Sequence, residues 1–194
     1  LHSTSRRQRQ MCIRDSSSIQ TYIDTSDTEK FNGKFRYSKF VGVIDDADIS
    51  INSNLTSLTM RKDFYPQLNS TFYYEVCFQN AFDEDCDDPV LSSTGFRVTE
   101  YPNFDVYVED RDKKIVLYRL DSVTGEKVVL DSDIGDIDYV KGELKMYALT
   151  IIKGSFFDNR ISLRVKPLSN DIKAMREVYL DVDVPNSSFT AYKE

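Results

Sequence analysis

Alternation with a period of two runs through this chain, and it restricts the fold more than any other feature, because successive side chains on a strand point to opposite faces. From Thr71 to Gln79, Phe72, Tyr74, Val76 and Phe78 alternate with Tyr73, Glu75, Cys77 and Gln79. Phe104, Val106 and Val108 alternate with Asp105, Tyr107 and Glu109; Ile161, Leu163 and Val165 with Ser162, Arg164 and Lys166; and Val178, Leu180, Val182 and Val184 with Tyr179, Asp181 and Asp183. Four strands, each with one wet face, predict antiparallel sheets.

The connections point the same way. Ser122 to Gly125 separates the apolar runs Lys114 to Leu120 and Glu126 to Leu130, with Gly125 placed to take the positive φ of a short hairpin. Asp138 to Gly142 repeats the device between Ile134, Ile137 and Leu144, Met146. Helix signals are thin: Ser169 to Glu177, where Ser169, Asn170 or Asp171 could cap a turn, and Arg61 to Leu68, interrupted by Pro66. The expected fold is mainly β, with antiparallel sheets and hairpins in two small modules and little helix. Pro102 suggests the boundary between them, giving a module with long loops over residues 17–100 and a hairpin module over 101–194.

Residues 1–16 stand apart. They read LHSTSRRQRQMCIRDS, basic and Gln-rich with no apolar stretch for a secretory signal. RRQRQMCIRDS resembles the in-frame translation of a transposase-based sequencing adapter, so residues 1–16 are read as an adapter-derived artefact, expected to be disordered. The genuine sequence is then expected to begin at residue 17 as part of a longer protein. Setting aside Arg6, Arg7, Arg9, Arg14 and Asp15 leaves 21 basic and 31 acidic residues, a net charge of −10. His2 and Cys12 go with them, leaving 178 residues, Cys77 and Cys86, and no histidine. This excludes His-based acid/base catalysis, Ser-His-Asp and Cys-His nucleophiles and His-containing zinc sites. The acidic balance, with basic residues scattered, argues against nucleic acid. No apolar run nears the roughly 18 residues of a membrane span.

Candidate sites are few, and each has a plainer reading. The acidic run Asp83-Glu84-Asp85-Cys86-Asp87-Asp88 could attract Ca²⁺, but it lacks the residue order and turn glycine of an EF-hand loop and reads as a solvated loop. Cys77 and Cys86 are close enough in sequence for a hairpin disulfide, yet two Cys make no disulfide framework and reduced thiols are expected. Asn-x-Ser/Thr triplets begin at Asn54, Asn69 and Asn186 and carry no meaning without a secretory route. The pairs Asp45/Asp46 and Asp181/Asp183 offer the two carboxyls a glycosidase needs, but read as surface charge. No phosphate loop or nucleophile elbow occurs. No catalytic, cofactor-binding or metal-binding residue is assigned, and an enzyme is not expected.

The positive signal is a resemblance. Ser38-Lys39-Phe40, Asn54 to Asn69, Phe72 to Val76, Phe78-Gln79-Asn80, Leu91 to Phe96, Ile134 to Leu144 and Lys166 to Ile172 resemble the large baseplate wedge subunit, the product of gene six, of T-even-like contractile-tail phages. A closing stretch with an Arg and a strand, as at Arg176 to Val184, fits the same pattern. The resemblance covers nearly all of residues 19–194. It implies the C-terminal portion of a structural virion protein of the tail baseplate, assembled in the host cytoplasm, that pairs with itself as a homodimer, joins other wedge subunits and links wedges, without cofactor, nucleic acid or membrane. The rival reading is a β-sandwich carbohydrate-binding or adhesin module, which the lack of Trp disfavours.

Overall fold

The computed structural model describes residues 17–24, 33–49, 51–84, 88–174, 180–188 and 190. Residues 1–16 lie outside them, as do Cys86 and the centre of the acidic run. The described chain is mostly β, with antiparallel sheets that include a small barrel, and two α-helices. It divides into two compact units, Leu1–Ser57 with Asn170–Glu194, and Leu58–Ser169.

The first unit holds both helices. Helix α1 (17–24) buries Ile19 and Ile23, and α2 (Tyr37–Asp45) buries Phe40 and Ile44, each pair at the i, i+4 spacing of one helix face. No side chain next to α2 caps it; instead Asp171 Oδ1 accepts the Tyr37 N–H at 2.9 Å, from 134 residues away. Strands β1 (Lys34–Phe35) and β11 (Ile172–Lys173) pair antiparallel, setting Phe35 opposite Ile172, and the Ala174 N–H bonds Gly33 O. The Phe40 ring meets Phe35 at 5.1 Å and Tyr22 at 5.7 Å.

The second unit runs β2 (Met60–Phe64), β3 (Thr71–Cys77), β4 (Leu91–Ser93), β5 (Phe96–Val98), β6 (Tyr101–Arg111), β7 (Lys114–Leu120), β8 (Lys127–Asp138), β9 (Glu143–Lys153) and β10 (Ile161–Val165). Pairings β5–β6, β6–β7, β7–β8, β8–β9 and β9–β5 close on themselves as the small barrel. From β6 the sheet continues through β4 and β10 to β2, and β3 adds to β9. Val106, Val108, Ile115, Leu144 and Ile151 fill the interior at 0–1% exposure, and burying each such side chain contributes about 1.5–3 kcal/mol. Gly125 (φ 72°) and Gly142 (φ 68°) make the β7–β8 and β8–β9 turns as expected, and a Cβ on Gly142 would lie 2.0 Å from Asn80 O.

Several expectations are corrected. The division at 100/101 falls inside the second unit: β5 is hydrogen-bonded to β6, and Pro102 is the second residue of β6, near a strand start where a missing N–H is tolerated. Residues 61–64 belong to a strand rather than a helix, because β2 finds β10 almost a hundred residues later and Pro66 follows. Residues 169–174 form bends and β11 rather than a helix, since Asp171 caps α2 instead of its own turn. The strand expected from Val178 to Val184 is absent in its described part, 180–184: Asp183 accepts from the Asn186 side chain, and a 3₁₀ turn covers Val184–Asn186 around Pro185. Period two there does not make a strand: the Val184 N–H folds back on Val182 O at 2.8 Å around Asp183. Helices α1 and α2 were missed, although Ile19/Ile23 and Phe40/Ile44 carried their spacing.

Candidate functional site

The chemistry proposed from sequence disperses in the fold. In the acidic run, Asp83 pairs with Lys166 at 2.8 Å and Glu84 with Lys113 at 2.6 Å, so its described inner carboxylates already face ammonium groups. The Glu84 hydrogen bond raises the Lys113 pKa. Asp85, Cys86 and Asp87 lie outside the described residues. Among the described residues no group of three or more His, Cys, Asp or Glu could hold a metal ion.

Cys77 is a free, half-buried thiol whose Sγ lies 3.9 Å from Glu143 Oε1. Asn54 Nδ2 donates to Asp45 Oδ1 at 2.7 Å and its Oδ1 accepts from Thr56, which ties one carboxylate of the Asp45/Asp46 pair to a turn. Asn69 sits at φ 58° with its N–H on Ile151 O. Asp183 is engaged by Asn186 Nδ2 at 2.8 and 2.9 Å, so Asn186 and Asp183 hold one another.

A cleft of about 370 Å³ does open in the second unit, lined by Glu84, Lys113, Tyr139, Lys141 and Lys145 among others. Each of its ammonium groups faces a carboxylate: beside Glu84–Lys113, Lys141 faces Asp138 at 3.6 Å and Lys145 faces Glu75, which lies outside the lining, at 3.4 Å. A backbone hydrogen bond from Lys141 lowers the Asp138 pKa.

Sequence reasoning missed two buried acids on β6. Glu109, 1% exposed, is gripped by Arg111 at 2.6 Å and by Lys127, whose ammonium also lies 5.0 Å from the Tyr118 ring. Its face of β6, β7 and β8 carries the stacked pair Tyr107–Tyr118 at 5.6 Å. The alternate face is the barrel interior, and there Asp110 accepts the Leu91 N–H at 2.6 Å and the Tyr139 hydroxyl at 2.7 Å. Burial first, then that hydrogen bond, pushes the Tyr139 pKa well above its usual value. Both acids are therefore structural pins, each paired or hydrogen-bonded as a buried charge must be.

The large apolar side chains that the second unit exposes are both aliphatic, as at Val123, Val140 and Leu168, and aromatic. Phe157 is fully exposed at the tip of the β9–β10 loop, Phe156 lies under the Arg160 guanidinium at 4.5 Å, and Tyr65 reaches Asp158 Oδ2 at 3.4 Å. On β3 the expected inward face is only partly covered: Val76 is buried and Tyr74 and Phe78 half-buried, but Phe72 remains 44% exposed beside Tyr73 at 77%. Exposed aromatics on rigid strands and a tight loop suit contact with other proteins.

Comparison with known families gives a match that lies N-terminal to all of these aromatics. Residues 4–63 match the family model of the baseplate structural protein gp6, C-terminal domain III. Over this stretch the chain is similar to gp6-type baseplate structural proteins. The matched stretch includes both helices, β1 and all of β2 but Phe64, and opens at residue 4, within the sixteen residues read as adapter-derived. No curated protein matches the chain. Together with the β-rich fold, that match supports a structural role in a phage baseplate.

Proposed function

We propose that this gp6-like chain is the C-terminal portion of a baseplate wedge subunit that pairs with a second copy of itself and links to other wedge subunits. The observation that carries this reading is the match of residues 4–63 to gp6 C-terminal domain III. The exposed aromatics Tyr65, Phe72, Tyr73 and Phe157 support it, because large rigid side chains contribute contact area at small entropic cost. The chain works as an assembly element rather than an enzyme, without cofactor, nucleic acid or membrane, and joins the virion during assembly in the host cytoplasm.

Size-exclusion chromatography with light scattering, on the chain alone and mixed with other baseplate wedge subunits, tests the proposal. Self-association and co-elution with a wedge subunit are expected. A strict monomer that ignores wedge subunits and binds glycans would overturn it in favour of a carbohydrate-binding module.

A further inference from the structure

The hairpin of β7 and β8 reaches out of the barrel as a two-stranded ribbon. The β6–β7 pairing ends at Tyr107 with Tyr118, and β8 pairs with β9 only from Gly135 onward. Residues 118–120 and 127–129 therefore pair with each other, and among the described residues no strand lies on the other edge of 127–134. Side chains of a strand alternate between two faces, yet every residue from 127 to 133 except Leu130 is exposed, so the ribbon is open on both faces as well as along its edge. Leu120, Val128 and Val129 are among its exposed apolar side chains. A lone two-stranded ribbon is marginal in water, and an open apolar edge is a template for another strand.

The direction of its outer groups follows from the turn. The Asp121 N–H bonds Glu126 O, and Leu120 with Lys127, Arg119 with Val128 and Tyr118 with Val129 continue in unbroken register. Bonded and non-bonded pairs alternate in an antiparallel ladder, so Val128 bonds inward to β7 while Lys127 and Val129 turn their main-chain N–H and C=O outward. Bulges and lysines are the usual devices against edge pairing. Here the register shifts lie beyond Val129, which leaves 127–129 straight. The one lysine of this stretch reaches back across β7, where the buried Glu109 of β6 and the Tyr118 ring hold its ammonium away from the edge.

We propose that this outer edge of β8 is the surface on which a second copy of the chain docks, β8 against β8, antiparallel about a two-fold axis at Val128. Lys127 then lies opposite the partner's Val129, and Val129 opposite the partner's Lys127, at the positions whose main-chain groups point outward, so each pair exchanges both hydrogen bonds. On one face Val128 meets the partner's Val128 at the axis, a β-branched pair suited to a sheet. On the other face Val129 packs on the stem of the partner's Lys127 and extends the apolar surface that carries Leu120. Asp131, two residues past Val129, comes toward the partner's Lys127, opposite in sign. The ribbon becomes the middle of a four-stranded sheet and gains the neighbours it lacks. The stretch is its own complement about Val128, which is what an isologous contact requires and what selects a second copy over an unrelated strand.

The inference rests on the proposed self-association and names its surface. Sedimentation equilibrium of the full chain over a concentration series tests it, with amide exchange measured on the same samples. Val128→Lys and Val128→Glu each change an exposed side chain and leave its main chain on β7. Either one alone sets like charges at the axis and is expected to weaken the homodimer by about tenfold or more. Mixed, the two variants set Lys against Glu and are expected to recover heterodimers, which a folding defect cannot do. Raising the wild-type concentration is expected to protect the Lys127 and Val129 amides, while the Val128 amide, already bonded to β7, changes least. Wild-type dimers unmoved by either variant would overturn the proposal by placing self-association on another surface, and would leave the assembly reading intact. A wild type that stays monomeric through the series would also overturn it, while co-elution with wedge subunits would still support the contact between subunits.

Discussion

Tyr139→Phe removes one oxygen from the barrel and isolates one side of a buried carboxylate. Asp110 is 7% exposed and has two donors from other elements, the Leu91 N–H at 2.6 Å and the Tyr139 hydroxyl at 2.7 Å. A hydrogen bond to a charged group contributes about 1.5–3 kcal/mol, and the ring of Phe fills the same space, so the expected loss is about 2 kcal/mol. For a unit the size of Leu58–Ser169 this lowers the melting temperature by roughly 8 °C. The loss has a pH signature. Tyr139 ionises above its ordinary value of 10.0 in the folded chain, so the stability it adds is full below about pH 10 and is lost as pH rises beyond that. Tyr139→Phe has no such component, and the gap between the two proteins narrows above pH 10. Thermal unfolding followed by circular dichroism, at neutral pH and through the alkaline range, measures both. A gap below about 0.5 kcal/mol at neutral pH, or one that stays constant into alkali, would refute the pairing as a source of stability.

Other outcomes follow from the same structure. Leu144 is fully buried in the barrel, so Leu144→Ala is expected to cost about 3 kcal/mol in urea unfolding. Asp171→Ala removes the distant cap of α2 and is expected to cost about 1 kcal/mol locally; amide exchange quickens over Tyr37–Asp45 while the barrel interior stays protected. Asp121 is held down by the backbone N–H groups of Thr124 and Val123, and Asp138 by that of Lys141. The support these carboxylates give their turns is present above their ordinary value of 3.8 and lost as pH falls through their lower folded values, so the amide resonances of Val123, Thr124 and Lys141 should titrate with midpoints below 3.8.

Sequence by itself determined the local facts. A period of two placed strands over β3, β6 and β10 with Val76, Val106, Val108, Ile161, Leu163 and Val165 on the buried face, and Gly125 and Gly142 marked the two hairpin turns. Side-chain direction and backbone φ are properties of neighbouring residues, so they are written in neighbouring letters. Tertiary structure decided everything that depends on a distant partner. Met60–Phe64 is a strand because β10 lies beside it, Ile172 pairs with Phe35 across the whole inserted second unit, and the ring of pairings that joins β9 back to β5 is invisible to any local window. The same cause hid the burial of Glu109, placed by alternation on the wet face of its strand, and of Asp110, which are covered by Lys127, Arg111, Leu91 and Tyr139. Their charge is tolerable only where those groups converge, and convergence is a property of the closed barrel.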